Sequence, residues 1–245
     1  MKCVILAAGY ATRLYPLTKN FPKPLLKVGD KTILDWLLDD IQTAQAIDEY
    51  VVISNHKYAF HFEEWAKTKS YKITVVDDGT ISNETRLGAV KDVQFAIEKL
   101  RLDTDLLVIA GDNLLDFSLK SFIQYVQEKK SSCVMRYYEK EKEKLKKGGV
   151  LSVDDNDRIV EMEEKPQKPK SNWGCPPFYY YTKEDVKLIK KGIDSGCGTD
   201  APGGYLMWLC KQTEVYAMEM SGSRYDIGNI ENYEQVKKEY KGIIK

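Results

Sequence analysis

Apolar residues fall along this chain in two rhythms. Residues 2–8, 50–54 and 106–110 are short continuous apolar runs, the pattern of strands buried on both faces. Ile33, Leu34, Leu37, Leu38, Ile41 and Ala44 instead recur at helical spacing, one apolar stripe on an otherwise polar helix. The same reading predicts a helix over 58–69, a strand over 72–76 and an amphipathic helix over 87–100. Pro16, Pro22 and Pro24 keep the stretch up to Lys27 from forming a regular helix, and 77–84 is a second, turn-rich loop. The order βαβαβαβ implies a mostly parallel sheet with helices on both faces.

The second half changes character. A helix over 118–130 leads to a strand over 133–138, and the mixed-charge run 139–147 reads as a solvated surface segment. Segments 150–153 and 158–163 flank Asp154-Asp155-Asn156-Asp157, a hairpin signal. A strand over 178–181, helices over 183–191 and 205–211, a strand over 215–220 and a helix over 230–240 follow. No repeat, low-complexity tract or linker interrupts the chain. The expectation is one α/β domain over 1–245 with two lobes, 1–130 and a smaller, β-rich 131–245.

Composition narrows the function. Of the 245 residues, 43% are hydrophobic and 30% charged, enough apolar material for a packed core. Lys+Arg and Asp+Glu both number 37, and zero net charge argues against a general nucleic-acid binder or a polybasic membrane protein. A few local charges still suffice for a small phosphorylated ligand. No apolar run nears the ~20 residues that a bilayer needs, and residues 1–8 lack a cleavage-like site for a signal peptide. The five cysteines form no CxxC pair, and the histidines are only His56 and His61. That pattern fits a reducing cytoplasm, speaks against structural zinc and offers no local Cys–His nucleophile.

Ligands of open parallel sheets sit at the carboxyl ends of the strands. Four groups fall there: the loop after the first strand, Asp77/Asp78, Asp112, and the segment after Glu163, which the reading sets around one crevice. In Leu6-Ala7-Ala8-Gly9-Tyr10-Ala11-Thr12-Arg13-Leu14, the small residues let backbone N–H groups approach an anion. Arg13 offers a bidentate fork and Lys23 a point charge, a pair suited to a triphosphate, with the fork making Arg13 the stronger. A tight turn with two surface cations is the plainer alternative. The loop is neither G-x-G-x-x-G nor a Walker A loop. Asp112 and Asp226 could be ordinary caps or Asx turns. Together they supply two hard oxygens, the number that Mg²⁺ commonly takes from protein when phosphates and waters complete its shell. Pro166 is expected to hold Lys165 extended.

Gly9-Tyr10-Ala11-Thr12-Arg13-Leu14-Tyr15-Pro16-Leu17-Thr18 followed by Pro22-Lys23-Pro24 resembles the signature of the sugar-phosphate nucleotidylyltransferases, and in particular glucose-1-phosphate thymidylyltransferase-like enzymes. Gly111-Asp112-Asn113, Glu163-Glu164-Lys165-Pro166 and Tyr225-Asp226-Ile227-Gly228 resemble three further motifs of that family, in the family's order. One departure is Ala11, where many members carry glycine; it matters only if that position needs φ > 0.

The resemblance implies a Rossmann-like nucleotide-diphospho-sugar transferase fold and the reaction NTP + R-phosphate → NDP-R + pyrophosphate. It implies a nucleotide site at Leu6, Ala8, Gly9, Tyr10, Ala11, Thr12, Arg13, Lys23, Asp78, Gly88 and Asp112, and an acceptor site at Gly149, Glu164, Lys165 and Trp173. Mg²⁺, with Mn²⁺ as an alternative, would be held by Asp112 and Asp226. Arg13 and Lys23 would serve the leaving pyrophosphate, and Lys165 and Glu164 the acceptor's phosphate and hydroxyl. Catalysis would fall to Arg13, Lys23, Asp112, Lys165 and Asp226. No hexapeptide repeats occur in these residues, so the β-helical acetyltransferase extension of some relatives is not expected.

Two segments depart from the family pattern. Asp77 and Asp78 close the third strand where base-reading segments often carry glutamine, and a carboxylate accepts only, which favours bases that present amino donors. Trp173-Gly174-Cys175-Pro176-Pro177 reshapes the acceptor segment. These leave open a CTP-dependent cytidylyltransferase acting on choline phosphate or an amino-alcohol phosphate or phosphonate. A nucleotide-binding regulator without turnover and a dinucleotide-dependent oxidoreductase are the remaining alternatives.

Overall fold

Cys3, Val4, Ile5, Val51, Val52 and Ile53 are all fully buried. They lie in Lys2–Leu6 and Glu49–Ser54, which pair in parallel, and Ile73–Asp77 joins the other side of the second strand in the same sense. The register sets Leu6 opposite Ile53 and Ser54 opposite Asp77, so all three strands end flush. The computed structural model describes residues 1–243 and divides into two compact units. The first, to which these strands belong, consists of Met1–Arg86, Ala110–Ile123 and Ser221–Lys245.

Local chemistry sets the helix starts in this unit. Ile33–Gln42 opens with a capping box: the Thr32 side chain accepts from the Asp35 N–H, and the Asp35 carboxylate accepts from the Thr32 N–H. The Asn55 side chain accepts from the Tyr58 N–H and starts His56–Ala66, which packs on Glu49–Ser54 and Ile73–Asp77. A second core joins Leu14, Leu26, Val28 and Ile33 to Leu114, Ile227, Tyr233 and Val236, bringing Ile230–Glu239 onto the early part of the chain. The Tyr233 hydroxyl donates to the Lys27 carbonyl and that of Tyr240 to the Leu115 carbonyl.

The second unit, Leu87–Ile109 and Gln124–Met220, is richer in strands. Its order is Ile159–Glu164, Gly149–Val153, Trp173–Cys175, Ser132–Tyr138, Phe178–Tyr181, Leu106–Ala110, each neighbour antiparallel. Val215–Glu219 joins Ser132–Tyr138 in parallel. Ala89–Leu100 and the shorter helices Lys183–Lys187, Ile189–Asp194 and Gly203–Leu209 complete it.

The α/β class read from the sequence is what this architecture shows, with three parallel strands in the first unit and most of the antiparallel pairing in the second. Both units are assembled from separated stretches, whereas the sequence reading divides the lobes at one point after residue 130. Two local expectations are corrected. The run 139–147 is not wholly solvated: Lys142–Leu145 forms a helical turn and Leu145 is buried. The helix expected over 183–191 is two helices meeting at Leu188. Two-residue ladders, Lys27–Val28 with Lys31–Thr32 and Leu114–Leu115 with Arg224–Tyr225, are too short to leave a period in the sequence. Among the described residues, no helix is long and apolar enough to cross a membrane.

Candidate active site

The first unit carries most of the residues singled out above. Its opening loop leaves Lys2–Leu6 at the flush end of the three strands. The Ala7 N–H donates to the Ile53 carbonyl at 2.9 Å, and the Ala8 carbonyl accepts from Asn55 Nδ2 at 2.9 Å. The Ala11 carbonyl accepts from the Leu14 N–H at 3.0 Å and the Thr18 hydroxyl at 2.8 Å. The Tyr58 hydroxyl in turn donates to the Thr18 carbonyl at 2.6 Å. Side chains of the surrounding fold thus fix the course of the loop.

Within it, Gly9 is exposed, and a Cβ there would meet nothing within 4 Å, so packing does not require glycine at this point. Ala11 has φ +45° and ψ +44°. The departure at Ala11 is therefore not neutral: the position needs φ > 0, and alanine bears a strain of about 1–2 kcal/mol that glycine would avoid. Tyr10 is buried, its ring 6.0 Å from that of Tyr58. Thr12 and Arg13 are exposed on the single turn Thr12–Leu14.

Lys23 is no surface cation. It is buried in the turn Lys23–Leu25, and its Nζ donates to Asp112 Oδ2 at 2.7 Å. Asp112 reaches it from the turn after Leu106–Ala110, where the Gly111 N–H donates to the Leu6 carbonyl at 3.0 Å. Desolvation would raise the Asp112 carboxyl. The Lys23 ammonium and, behind it, the Arg224 guanidinium outweigh that and hold it below the usual carboxylate range. Asp78 is buried at the end of its strand, and its Oδ1 accepts from both the N–H and the hydroxyl of Thr80 at 2.7 Å. Next to it, Asp77 Oδ2 lies 2.6 Å from His56 Nδ1. That hydrogen bond raises the exposed histidine's pKa.

Asp226 is exposed and follows the ladder of Arg224–Tyr225 with Leu114–Leu115. That ladder sets the segment of Asp226 against the segment of Asp112. Sequence reasoning passed over its two side-chain ties. Arg224 Nη1 donates to Asn113 Oδ1 at 3.0 Å, and Asp116 Oδ1 accepts from the Ser223 N–H at 2.7 Å. An arginine two places before Asp226 was the available signal.

The remaining residues belong to the second unit. Gly88, at φ +92°, precedes Ala89–Leu100, and a Cβ there would come within 2.6 Å of the Thr199 carbonyl, so this glycine is required by packing. Gly149 pairs with Glu164 in the hairpin, and a Cβ on it would lie 3.1 Å from Cys175 Cβ and 3.5 Å from Glu164 Oε2. The Glu164 carboxylate presses on Gly203, leaving no room there for a side chain. Burial raises its pKa; Lys165 pulls it back and Asp200 pushes it further up. Lys165 is not extended as expected: its φ is +48°, because its N–H turns to the Gly148 carbonyl at 3.0 Å to close the hairpin. Its Nζ lies 3.9 Å from Asp200 Oδ2. The Trp173 ring packs under the Arg136 guanidinium at 4.7 Å and edge-on to Tyr138 at 5.3 Å.

No group of three or more His, Cys, Asp or Glu side chains able to hold a metal ion occurs among the described residues. Asp112 and Asp226 together offer two carboxylates, one of them held ionised by its cationic neighbours. This donor set fits a hard cation that draws its other ligands from phosphate and water.

The sequence profile of the family described as Nucleotidyl transferase matches residues 2–242. The bifunctional protein GlmU of Methanocaldococcus jannaschii is 30% identical over 228 residues, covering 93% of this chain and 51% of that protein. Glucose-1-phosphate thymidylyltransferase of Neisseria meningitidis is 29% identical over 201 residues, covering 78% of this chain and 65% of that protein. The chain thus spans about half to two thirds of the length of these relatives. In fold it is similar to a UDP-glucose pyrophosphorylase solved with UDP-glucose, at a TM-score of 0.84 and 22% identity, over 98% of this chain and 97% of that one.

Proposed function

The chain belongs to the nucleotidyl transferase family, and on that premise we propose that it joins a nucleoside triphosphate to a sugar 1-phosphate, giving an NDP-sugar and pyrophosphate. The observation that carries this reading is the Lys23–Asp112 pair, 2.7 Å apart beside a small-residue loop at the carboxyl edge of a parallel sheet. A cation and a carboxylate held together there suit phosphoryl chemistry.

In the reaction, an oxygen of the acceptor phosphate attacks the α-phosphorus in line. The new P–O bond forms as the bond from the α-phosphorus to the bridging oxygen breaks, and the electron pair leaves with pyrophosphate. The acceptor is already an anionic nucleophile, so the protein's task is positioning and charge neutralisation. The loop from Ala8 to Arg13 receives the triphosphate, its N–H groups and the Arg13 fork facing phosphate oxygens. Lys23 leaves Asp112 and follows the charge that grows on the leaving oxygens. Lys165 neutralises the acceptor phosphate, and Glu164, its carboxyl raised by burial, accepts from or donates to an acceptor hydroxyl. Asp112 and Asp226 would hold a divalent cation such as Mg²⁺, which when bound would supply Lewis-acid neutralisation of phosphate charge.

The Arg136 guanidinium lies over one face of the Trp173 ring, which leaves that aromatic one face fewer for the quaternary ammonium of an amino-alcohol acceptor. The five cysteines are free thiols, and we assign the protein to a reducing compartment such as the cytoplasm. The test is a matrix of four NTPs against sugar 1-phosphates and amino-alcohol phosphates, scored by pyrophosphate release. Release with a sugar 1-phosphate supports the reading; release only with choline phosphate or an amino-alcohol phosphate replaces it.

A further inference from the structure

Asp112 and Asp226 lie 114 residues apart in sequence, and their segments meet at a short ladder that includes Arg224. In the two-residue ladder, Arg224 pairs with Leu115 and Tyr225 with Leu114. Continued by one residue, this register brings Asn113 level with Asp226. Asn113 is buried, and its amide is held at both ends: Oδ1 accepts from Arg224 Nη1 at 3.0 Å, and Nδ2 donates to the Ala110 carbonyl at 2.9 Å. An arginine has only donors to offer, so the bond also fixes which way the amide faces. One residue beyond the ladder, the Ser223 N–H donates to Asp116 Oδ1, and Gly222 lies too close to that carboxylate to carry a side chain. The backbone ladder alone is two residues long, too short to hold register by itself.

We propose that Arg224 is a positioning residue which, through Asn113, sets the separation of the Asp112 and Asp226 carboxylates and so the affinity for a divalent cation. The proposal rests on reading those two aspartates as metal ligands. It makes a prediction whose sign a bystander charge cannot reproduce. Arg224 is a cation near a cation site, so removing its charge without moving anything would tighten metal binding. Removing a brace that sets two ligands loosens it.

The experiment titrates Mn²⁺ alone into the protein and follows free Mn²⁺ by electron paramagnetic resonance. Arg224→Met is expected to weaken Mn²⁺ about tenfold, as outer ligand-orienting partners commonly do. Asn113→Ala should weaken it similarly, and the double variant should be no worse than either single one, because both cut the same link. Arg224→Lys, which keeps the charge and one donor, should fall between wild type and Arg224→Met. It serves as the readout if Arg224→Met proves unfolded by circular dichroism. Unchanged or tighter Mn²⁺ binding in Arg224→Met, or additive losses in the double variant, overturns the inference. Asp112→Asn is the control. If it binds Mn²⁺ as wild type does, the metal-ligand reading falls and this inference with it; if it loses Mn²⁺ while Arg224→Met does not, this inference alone falls.

Discussion

Ala11 bears a backbone conformation that glycine would adopt at no steric cost, and it sits in the loop assigned to the triphosphate. One gain and two losses oppose each other on Ala11→Gly. Relief of the left-handed strain gains about 1–2 kcal/mol. The freer unfolded chain costs about 0.5–1 kcal/mol, and the lost methyl, which packs on the Leu14–Tyr233 cluster, costs a comparable amount. The net change in stability is therefore expected within about 1 kcal/mol of zero. Ala11→Val, with a branched Cβ at positive φ, should lose about 2 kcal/mol or more. Urea melts of the two variants decide it, and a valine variant as stable as wild type would contradict the conformation. Lys23 invites a second residue-scale expectation. By charge geometry alone, the Arg13 fork looks the stronger of the two phosphate ligands. Lys23, however, is buried and already paired with Asp112, whereas Arg13 is exposed. Lys23→Met should thus lower pyrophosphate use in the reverse reaction by about 10- to 150-fold, the worth of one charge-assisted bond, and more than Arg13→Ala does. Reverse kinetics in which Arg13→Ala is the worse variant would restore the original order.

At the scale of elements, the edge of the parallel sheet depends on an ionic clasp at its amino end. Glu49 opens its strand opposite Lys2, 2.7 Å from the Lys2 ammonium, and also holds Lys72 at 3.2 Å and the Thr74 hydroxyl at 2.6 Å. Burial alone would raise the Glu49 carboxyl, but these three partners hold it down at about 2 against an ordinary 4.5. A depressed acid contributes stability above its unfolded value and loses it as the pH falls through the folded one. The contribution is at most about 3 kcal/mol, present at neutral pH and fading between roughly pH 4.5 and 2. Glu49→Gln should accordingly be destabilised at pH 7 and draw closer to wild type at pH 3, in urea melts at both. A gap that does not narrow at pH 3 would contradict the clasp. Long elements of this kind were legible in the sequence: Leu106–Ala110 and Phe178–Tyr181 stand where their apolar runs put them. What was not legible is short or non-local. The Leu114–Leu115 and Arg224–Tyr225 ladder has no periodicity, and Asn113 looked like the tail of a metal motif rather than a brace. Lys165 escaped because Pro166 argues for an extended residue, while the carbonyl that turns it, on Gly148, lies just before the other hairpin strand.

The molecule as a whole, a nucleotidyl transferase in fold, is expected to perform divalent-dependent transfer to a sugar phosphate. The acceptor assignment has its own signature. Lys165→Ala should raise the acceptor KM or lower kcat/KM for it by about 10- to 150-fold. Binding of Mg-NTP alone, by calorimetry, should stay near wild type, and loss of NTP affinity with an unchanged acceptor KM would reverse the assignment. The most direct test of the central claim is a steady-state assay of pyrophosphate and NDP-sugar formation in wild type, in Asp112→Asn, and in wild type with EDTA. Wild type should give the two products in equal amounts, with no turnover in EDTA and a kcat on the order of 10²-fold lower or worse in Asp112→Asn, the scale on which a key electrostatic stabiliser is lost. Full turnover in EDTA, or an Asp112→Asn variant as fast as wild type, would contradict it.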